Sequence, residues 1–184
     1  MKFDIKEKVH EAFDAGIHKA TSNLSEMMIA EQSFTRSESQ VDTIKQNQDF
    51  DGSIARDSEA YSIEFHDEKG NSGEATLIFS QEDAYNLISA VTGEDYDALN
   101  EEERIDILSE ISNIVINACI EQLAPPFELH LTGGVPRQIR DFSQLPVTQS
   151  SEAFFKLHSI FKSDSQEVGG EVAIYLPARL FGLT

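Results

Sequence analysis

The sequence predicts an α+β fold in which two long helices pack on a mainly antiparallel sheet. Three observations predict it: two long segments with helical periodicity, paired segments in which apolar and polar residues alternate, and the recurrence of this order in both halves. The chain has 184 residues, of which 40% are hydrophobic, enough to form one core. We expect a single domain over residues 1–184.

A long amphipathic helix is predicted over residues 3–30. Its apolar side chains recur every three or four residues and therefore share one face: Val9, Phe13, Ile17, Ala20, Leu24 and Met28. Residues 31–58 are polar and poor in aliphatic side chains, and their role is open. Because a structureless loop of that length is uncommon inside a domain, we expect at least one strand there.

A hairpin and a short helix follow. Residues 60–65 alternate apolar and polar side chains, residues 67–73 have the composition of a turn, and residues 75–79 are the predicted partner strand. Ser80 is placed to cap a short helix, which Gly93 ends. The first half therefore has the order helix, polar connection, hairpin and short helix.

The second long helix is predicted over residues 101–123. Asn100 and Glu103 form a capping box at its start, because each side chain can bond the backbone N–H of the other residue. Two consecutive prolines end the helix, since proline lacks the N–H that a helix interior needs. An apolar face along this helix includes Cys119, which we expect to behave as a small buried hydrophobe.

Strands are predicted again after the second helix. Alternating apolar side chains indicate a strand at 127–131, a long strand at 153–161 and its partner at 172–176. Two glycines and a proline between the first two mark irregular backbone, and Pro177 begins a terminal turn or short helix. Arg137 and Arg140 are expected to be solvated surface charges.

The two halves resemble each other. The segments 73–79 and 170–176 match at an offset of 97 residues, and the two long helices match at an offset of 99. Chance likeness between two amphipathic hairpins is the alternative. Because helix and hairpin recur in the same order at nearly one offset, we predict an internal duplication with halves of roughly 1–97 and 98–184. Both halves would then form one pseudo-two-fold sheet.

Charge and composition exclude several classes of function. The chain carries 33 acidic and 14 basic side chains, a formal net charge of −19, which argues against binding the nucleic-acid backbone or an anionic membrane surface. One cysteine cannot form an intramolecular disulfide, and no apolar run is long enough for a membrane helix. The first residues lack the apolar stretch of a secretion signal, so we expect a cytoplasmic protein.

The second long helix carries a narrow polar stripe between apolar neighbours. At about 100° per residue its members fall within about an 80° wedge: Asp106, Glu110, Asn113, Asn117 and Glu121. Two asparagines inside a helix are poor helix formers, so local stability does not explain them. An ordinary solvated face is one interpretation. The other is a contact surface, in which a carboxylate binds a cation and a neutral carboxamide holds a water molecule beside an anion.

A spacing within this stripe resembles the motif of a known family. Asp106 is followed after three residues by Glu110, after two more by Asn113, and after a further 22 by Pro136. This arrangement is similar to the signature of the CheC/CheX/FliY family of chemotaxis phosphatases, and the text of residues 108–118 resembles CheC-type helices. The first long helix resembles the first family helix. The likeness spans most of the chain and includes the predicted duplication, so the resemblance implies a CheC-like fold.

The resemblance implies a phosphatase that acts on CheY or a related response-regulator receiver in two-component signalling. Glu110 would then pair with a lysine of the receiver, and Asn113 would place the attacking water. Asp106, Asn117 and Pro136 would support the site. The receiver would carry the Mg²⁺ and the phosphorylated aspartate, so no cofactor is expected on this chain. No histidine spacing suggests a metal site here.

The first helix departs from the motif. Glu7, Glu11 and Asp14 occupy the matching stripe, but Asp14 stands where the family has asparagine. The residue 23 positions beyond it is Ser37 instead of proline. An ionised carboxylate cannot donate a hydrogen bond and would face a phosphoryl group with like charge. We therefore predict a degenerate second site on this helix and one active site per chain.

Two other functions stay open at the level of sequence. The chain could be a catalytically weak CheC-like binding or scaffold protein that holds a receiver or a CheD-type partner. It could also have a structural role like that of flagellar switch proteins, although it lacks their additional segments. The presence of both Glu110 and Asn113 favours the enzyme, since a scaffold does not need that pair. The sequence allows a monomer or a dimer.

Overall fold

The structure is a computed structural model that describes residues 2–45 and 54–183. Within them lie three α-helices: α1 (Lys2–Met27), α2 (Gln81–Thr92) and α3 (Glu101–Leu123). The same residues form eight strands: β1 (Phe34–Arg36), β2 (Gln40–Lys45), β3 (Glu59–His66), β4 (Ser72–Phe79), β5 (Thr132–Gly133), β6 (Arg137–Ile139), β7 (Ala153–Ser163) and β8 (Gly169–Pro177). Short 3₁₀ turns connect several of these elements.

The described strands join in one antiparallel sheet. Its central order is β1, β7, β8, β4, β3 and β5, with β2 also paired to β7 and β6 also paired to β3. The helices α1 and α3 pack against each other and on the sheet. The predicted α+β class, with two long helices on a mainly antiparallel sheet, is therefore confirmed. No helix among the described residues is long and apolar enough to span a membrane.

The pairing of strands is reciprocal between the two halves. Strands β1 and β2 of the first half pair with β7 of the second, whereas β5 and β6 of the second half pair with β3 of the first. The halves meet where β4 pairs with β8, and there Thr76 lies opposite Ala173, its counterpart at the 97-residue offset. A pseudo-two-fold axis would produce this register. The duplication itself stays a prediction.

The predicted ends of α2 and α3 and the predicted apolar face of α3 are present in the structure. The Asn100 side chain accepts a hydrogen bond from the backbone of Glu103 at 3.0 Å, and the Glu103 carboxylate accepts one from the backbone of Asn100 at 2.9 Å. Gly93 ends α2 in a left-handed conformation with φ of 77°. The predicted apolar face of α3 is buried: Leu108, Ile111, Val115, Cys119 and Leu123.

The long helices cross at close range where Gly16 meets Cys119. A Cβ at Gly16 would lie 2.8 Å from the Cα of Cys119, so glycine is required for the approach. Burial among apolar side chains raises the pKa of the Cys119 thiol to about 12. The predicted role of Cys119 as a buried hydrophobe is confirmed, since such a thiol is not reactive at neutral pH.

Two predicted segments differ in the structure. Helix α1 ends at Met27 instead of residue 30. The strand predicted at 127–131 is wrong: the two prolines form a 3₁₀ turn at Pro125–Phe127, and the strand is only the pair Thr132–Gly133. The apolar side chains in between are half-buried against the core without strand pairing. The strand expected within 31–58 is present twice, as β1 and β2; residues 46–53 lie outside the described residues.

The other face of the sheet carries a second, smaller apolar cluster that segment 142–149 partly covers. Beside it, Glu74 of β4 is buried, and one of its carboxylate oxygens accepts a hydrogen bond from Arg137 of β6 at 2.8 Å. Burial raises the pKa of Glu74, although the Arg137 guanidinium opposes this. Arg137 is therefore a structural ion-pair partner, and the prediction of a simple solvated charge is wrong.

Candidate functional site

The polar stripe of α3 runs along an outer side of the helix. Asp106 and Glu110 are exposed, while Asn113 and Asn117 are half-buried. The described residues offer the carboxylates of Asp106 and Glu110 no hydrogen-bond or ion-pair partner. Asn113 is three positions after Glu110 on the helix, so their Cβ atoms lie about 5–6 Å apart on adjacent turns. An unpaired carboxylate thus stands next to a carboxamide on one rigid helix.

The two asparagines of the stripe bond each other. The side-chain amide of Asn117 donates to Oδ1 of Asn113 at 2.8 Å. A carboxamide oxygen has two lone pairs, so one acceptor position of Asn113 and both of its N–H groups stay available. The bond also orients the Asn113 carboxamide, because its oxygen is held on the side facing Asn117.

Strand β5 packs against the polar stripe at Asn117. A Cβ at Gly133 would lie 2.6 Å from Oδ1 of Asn117, so a side chain at this position would require the Asn117 carboxamide to move. Hydrogen bonding to β3 fixes the strand there, with the backbone N–H of Gly134 donating to the Glu64 carbonyl at 2.8 Å. Pro136 is half-buried three residues beyond Gly133, which places it within about 10 Å of that contact.

The far end of the stripe is tied to the first helix. Nζ of Lys19 donates to the Glu121 carboxylate at 2.7 Å, joining α1 to α3. Glu121 is therefore an interhelical contact. The part of the stripe available to a partner is Asp106, Glu110 and Asn113, with Asn117 behind them.

The matching stripe on α1 has a different environment. Glu7 and Glu11 are exposed, but the Asp14 carboxylate accepts from Arg36 at 3.3 Å and from the Ser39 hydroxyl at 3.0 Å. Arg36 and Ser39, from the segment around β1, thus bond the carboxylate at the position that corresponds to Asn113. Sequence spacing predicted the like-charge problem at Asp14, but it contained no signal for the pairing with Arg36.

Further contacts of the site were not predicted. The Asn113–Asn117 bond could have been read from the sequence, since carboxamides four residues apart on a helix are neighbours. The contact of Gly133 with Asn117 joins residues that only the fold brings together. Among the residues that the structure describes, no group of three or more His, Cys, Asp or Glu side chains is arranged to hold a metal ion.

Comparisons with known proteins find relatives at the level of structure. No family model and no curated protein matches the sequence. The chain is similar to a chemotactic CheC-like protein from Shewanella oneidensis, with a TM-score of 0.61 and 16% identity over 88% of this chain and 95% of that one. It is also similar to the FliM middle domain of H. pylori, with a TM-score of 0.68 and 13% identity, covering 97% and 95% of the two chains.

A third similar structure contains a partner. It is the complex of CheX with CheY, BeF₃ and Mg²⁺ from Borrelia burgdorferi, which matches with a TM-score of 0.58 and 16% identity over 89% of this chain and 96% of that one. At these identities the common property is the fold. The chain therefore has the CheC-like α+β fold, and the resemblance to CheC/CheX/FliY proteins is confirmed at that level.

Proposed function

We propose that this protein is a phosphatase that hydrolyses the aspartyl phosphate of a CheY-type receiver in chemotaxis or related two-component signalling. The observation that carries the proposal is the adjacency of an unpaired, exposed Glu110 and an oriented Asn113 on one rigid helix. The CheC-like fold supports it, and the solved CheX–CheY complex with the same fold supports a CheY-type partner.

In this proposal α3 docks over the phosphorylated aspartate of the receiver. Glu110 pairs with a receiver lysine, and the remaining lone pair on Oδ1 of Asn113 accepts a hydrogen bond from water. The water oxygen bonds to phosphorus while the bond from phosphorus to the aspartate oxygen breaks. That electron pair stays on the carboxylate, and both water protons end on inorganic phosphate. Catalysis is then positioning and electrostatic stabilisation, as is usual for phosphoryl transfer.

The remaining roles follow from the positions of the side chains. Asp106 lies one turn before Glu110 and adds negative charge toward the receiver lysine, whereas Pro136 shapes the connection beside the stripe. The receiver supplies Mg²⁺, and no cofactor is assigned to this chain. Because the catalytic groups lie on one helix of one chain, either a monomer or a dimer can carry the site. A CheD-type protein is a further partner compatible with the fold.

Replacing Glu110 tests docking. We expect Glu110→Ala to weaken binding of the receiver loaded with BeF₃ and Mg²⁺ about tenfold, or about 1.4 kcal/mol, because a charge pair at the interface is lost. Titration of the loaded receiver by calorimetry or fluorescence measures this, alongside phosphate release by the wild type. Glu101→Ala is the matched control, since nine residues place Glu101 on the opposite side of α3. Equal affinity of wild type and Glu110→Ala would contradict the role of Glu110.

The first stripe gives a second test. We expect Asp14→Asn in an Asn113→Ala background to stay inactive, because Arg36 or Ser39 still donates to the one amide oxygen that would have to hold the water. Single-turnover dephosphorylation of the receiver measures it. Wild-type activity of the Asn113→Ala protein would contradict the assignment of the active helix. Activity that appears only with Asp14→Asn would locate a dormant site on α1.

A binding role without catalysis is the second candidate, because an exposed and unpaired Glu110 can pair with a receiver lysine without any reaction at Asn113. In that case the protein binds the phosphorylated receiver and leaves its phosphate lifetime unchanged. Comparing receiver lifetimes with and without this protein separates the two functions. A receiver that is bound but dephosphorylated no faster than alone would establish the binding role.

A further inference from the structure

Resting on the proposed function, we infer that Asn117 and Gly133 together are the positioning device of the site. Asn117 fixes the carboxamide of Asn113, and the missing side chain at Gly133 makes room for it. Neither residue touches the receiver or the reacting water. Both residues lie behind the reacting groups and outside the spacing motif, whose last residue on this helix is Asn113.

The first step is the orientation of Asn113. A half-buried carboxamide on a helix surface can rotate about its terminal torsion, which has broad minima. The 2.8 Å bond from Asn117 removes that freedom and fixes which end is the oxygen. One lone pair of Oδ1 then remains for the water, and the N–H groups remain for a phosphoryl oxygen. A carboxamide that is free to rotate could exchange the positions of its oxygen and its NH₂ group.

The second step is the position of Asn117 itself. Its Oδ1 lies where it would come within 2.6 Å of a Cβ at Gly133. Strand β5 is held at this distance by pairing of Gly133 with Phe65 and of Thr132 with His66, and by the Gly134 bond to Glu64. The backbone of strand β5 is therefore held in place beside Asn117. Any side chain at 133 must displace Asn117, and through it Asn113.

The first stripe has a different arrangement at the corresponding positions. The residue that corresponds to Asn117 at the 99-residue offset is His18, which is exposed. Asp14 there is bonded by Arg36 and Ser39 from the β1 side instead. The stripe of α3 thus has two neutral carboxamides in contact, Asn113 and Asn117, and Gly133 lies next to the second.

Three variants test the device: Asn117→Ala, Gly133→Ala and their combination. We expect each single change to lower the maximal dephosphorylation rate about tenfold, with affinity for the BeF₃-loaded receiver within about twofold of wild type. The double variant should be no slower than Asn117→Ala, because the added methyl no longer meets a carboxamide. Gln122→Ala, a carboxamide on the opposite side of α3 from Asn113, should leave the rate unchanged.

Side-chain amide NMR separates this inference from the proposed function. In Asn117→Ala and in Gly133→Ala we expect the Asn113 NH₂ signals to shift and to become more mobile, with the backbone spectrum of α3 preserved. If the wild type dephosphorylates no receiver but these signals change, the phosphatase proposal fails and the positioning contact stands. Unchanged Asn113 signals would overturn the positioning role. With an active wild type, an unchanged rate in the single variants or losses that multiply in the double variant would overturn it as well.

Discussion

Replacing Asn113 by alanine is expected to abolish receiver dephosphorylation while leaving the receiver bound. The change removes the acceptor that holds the attacking water, and loss of such alignment costs roughly 100-fold or more in rate. Glu110 stays exposed and unpaired, so docking through the receiver lysine continues. Single-turnover loss of phosphate from the receiver measures the rate, and titration with the BeF₃-loaded receiver measures binding.

Two further variants sharpen this prediction. Asn113→Asp keeps the shape but adds a charge that repels the phosphoryl group, and it reproduces the residue found at position 14 of the first stripe. We expect it to be at least as inactive as Asn113→Ala. Gln122→Ala removes a carboxamide from the opposite side of the same helix and should dephosphorylate the receiver at the wild-type rate. More than half of the wild-type rate in Asn113→Ala would contradict the catalytic assignment.

Removing Arg137 is expected to cause the largest loss of stability. Glu74 is buried, with its side chain only 2% exposed, whereas its partner Arg137 is 45% exposed. Arg137→Ala leaves a buried carboxylate without its counter-charge, which costs about 3 kcal/mol of unfolding free energy. Denaturant unfolding at neutral pH measures this loss. Arg140→Ala is the control and should change stability by less than about 0.5 kcal/mol, because Arg140 is exposed and its side chain bonds only Gln138 among the residues that the structure describes.

The pH dependence gives this prediction a direction. Burial raises the pKa of Glu74, so the folded state binds its proton more tightly than the unfolded chain does. Stability then falls as the pH rises from the usual glutamic acid range through the raised pKa. Without Arg137 that fall is larger, because the guanidinium no longer opposes the rise of the Glu74 pKa. The loss in Arg137→Ala should therefore be largest at neutral pH and shrink as the pH is lowered. Glu74→Gln in the same background should recover most of it at neutral pH. An equal loss of stability in Arg137→Ala at neutral and at acidic pH would contradict this role of Glu74.

The elements with local signals were predictable from the sequence. The capping box of Asn100 and Glu103, the stop at Gly93 and the periodic apolar faces depend on residues a few positions apart, so no tertiary information is needed. The strand predicted at 127–131 failed for the same reason. Alternating apolar side chains signal burial, but only a neighbouring strand makes a segment a strand, and none pairs there among the described residues.

The stripe of α3 was likewise set by the sequence, because helix geometry alone places Glu110 beside Asn113 and Asn113 beside Asn117. Only the tertiary structure decided which members are available. Lys19 forms an ion pair with Glu121, and Asp14 accepts hydrogen bonds from Arg36 and Ser39. Strand β5 packs against Asn117 at Gly133. These contacts join residues 16 to 102 positions apart, and they depend on how the sheet folds the chain back on its helices. Residue spacing within one helix therefore determined the candidate chemistry, and long-range packing decided which helix can present it.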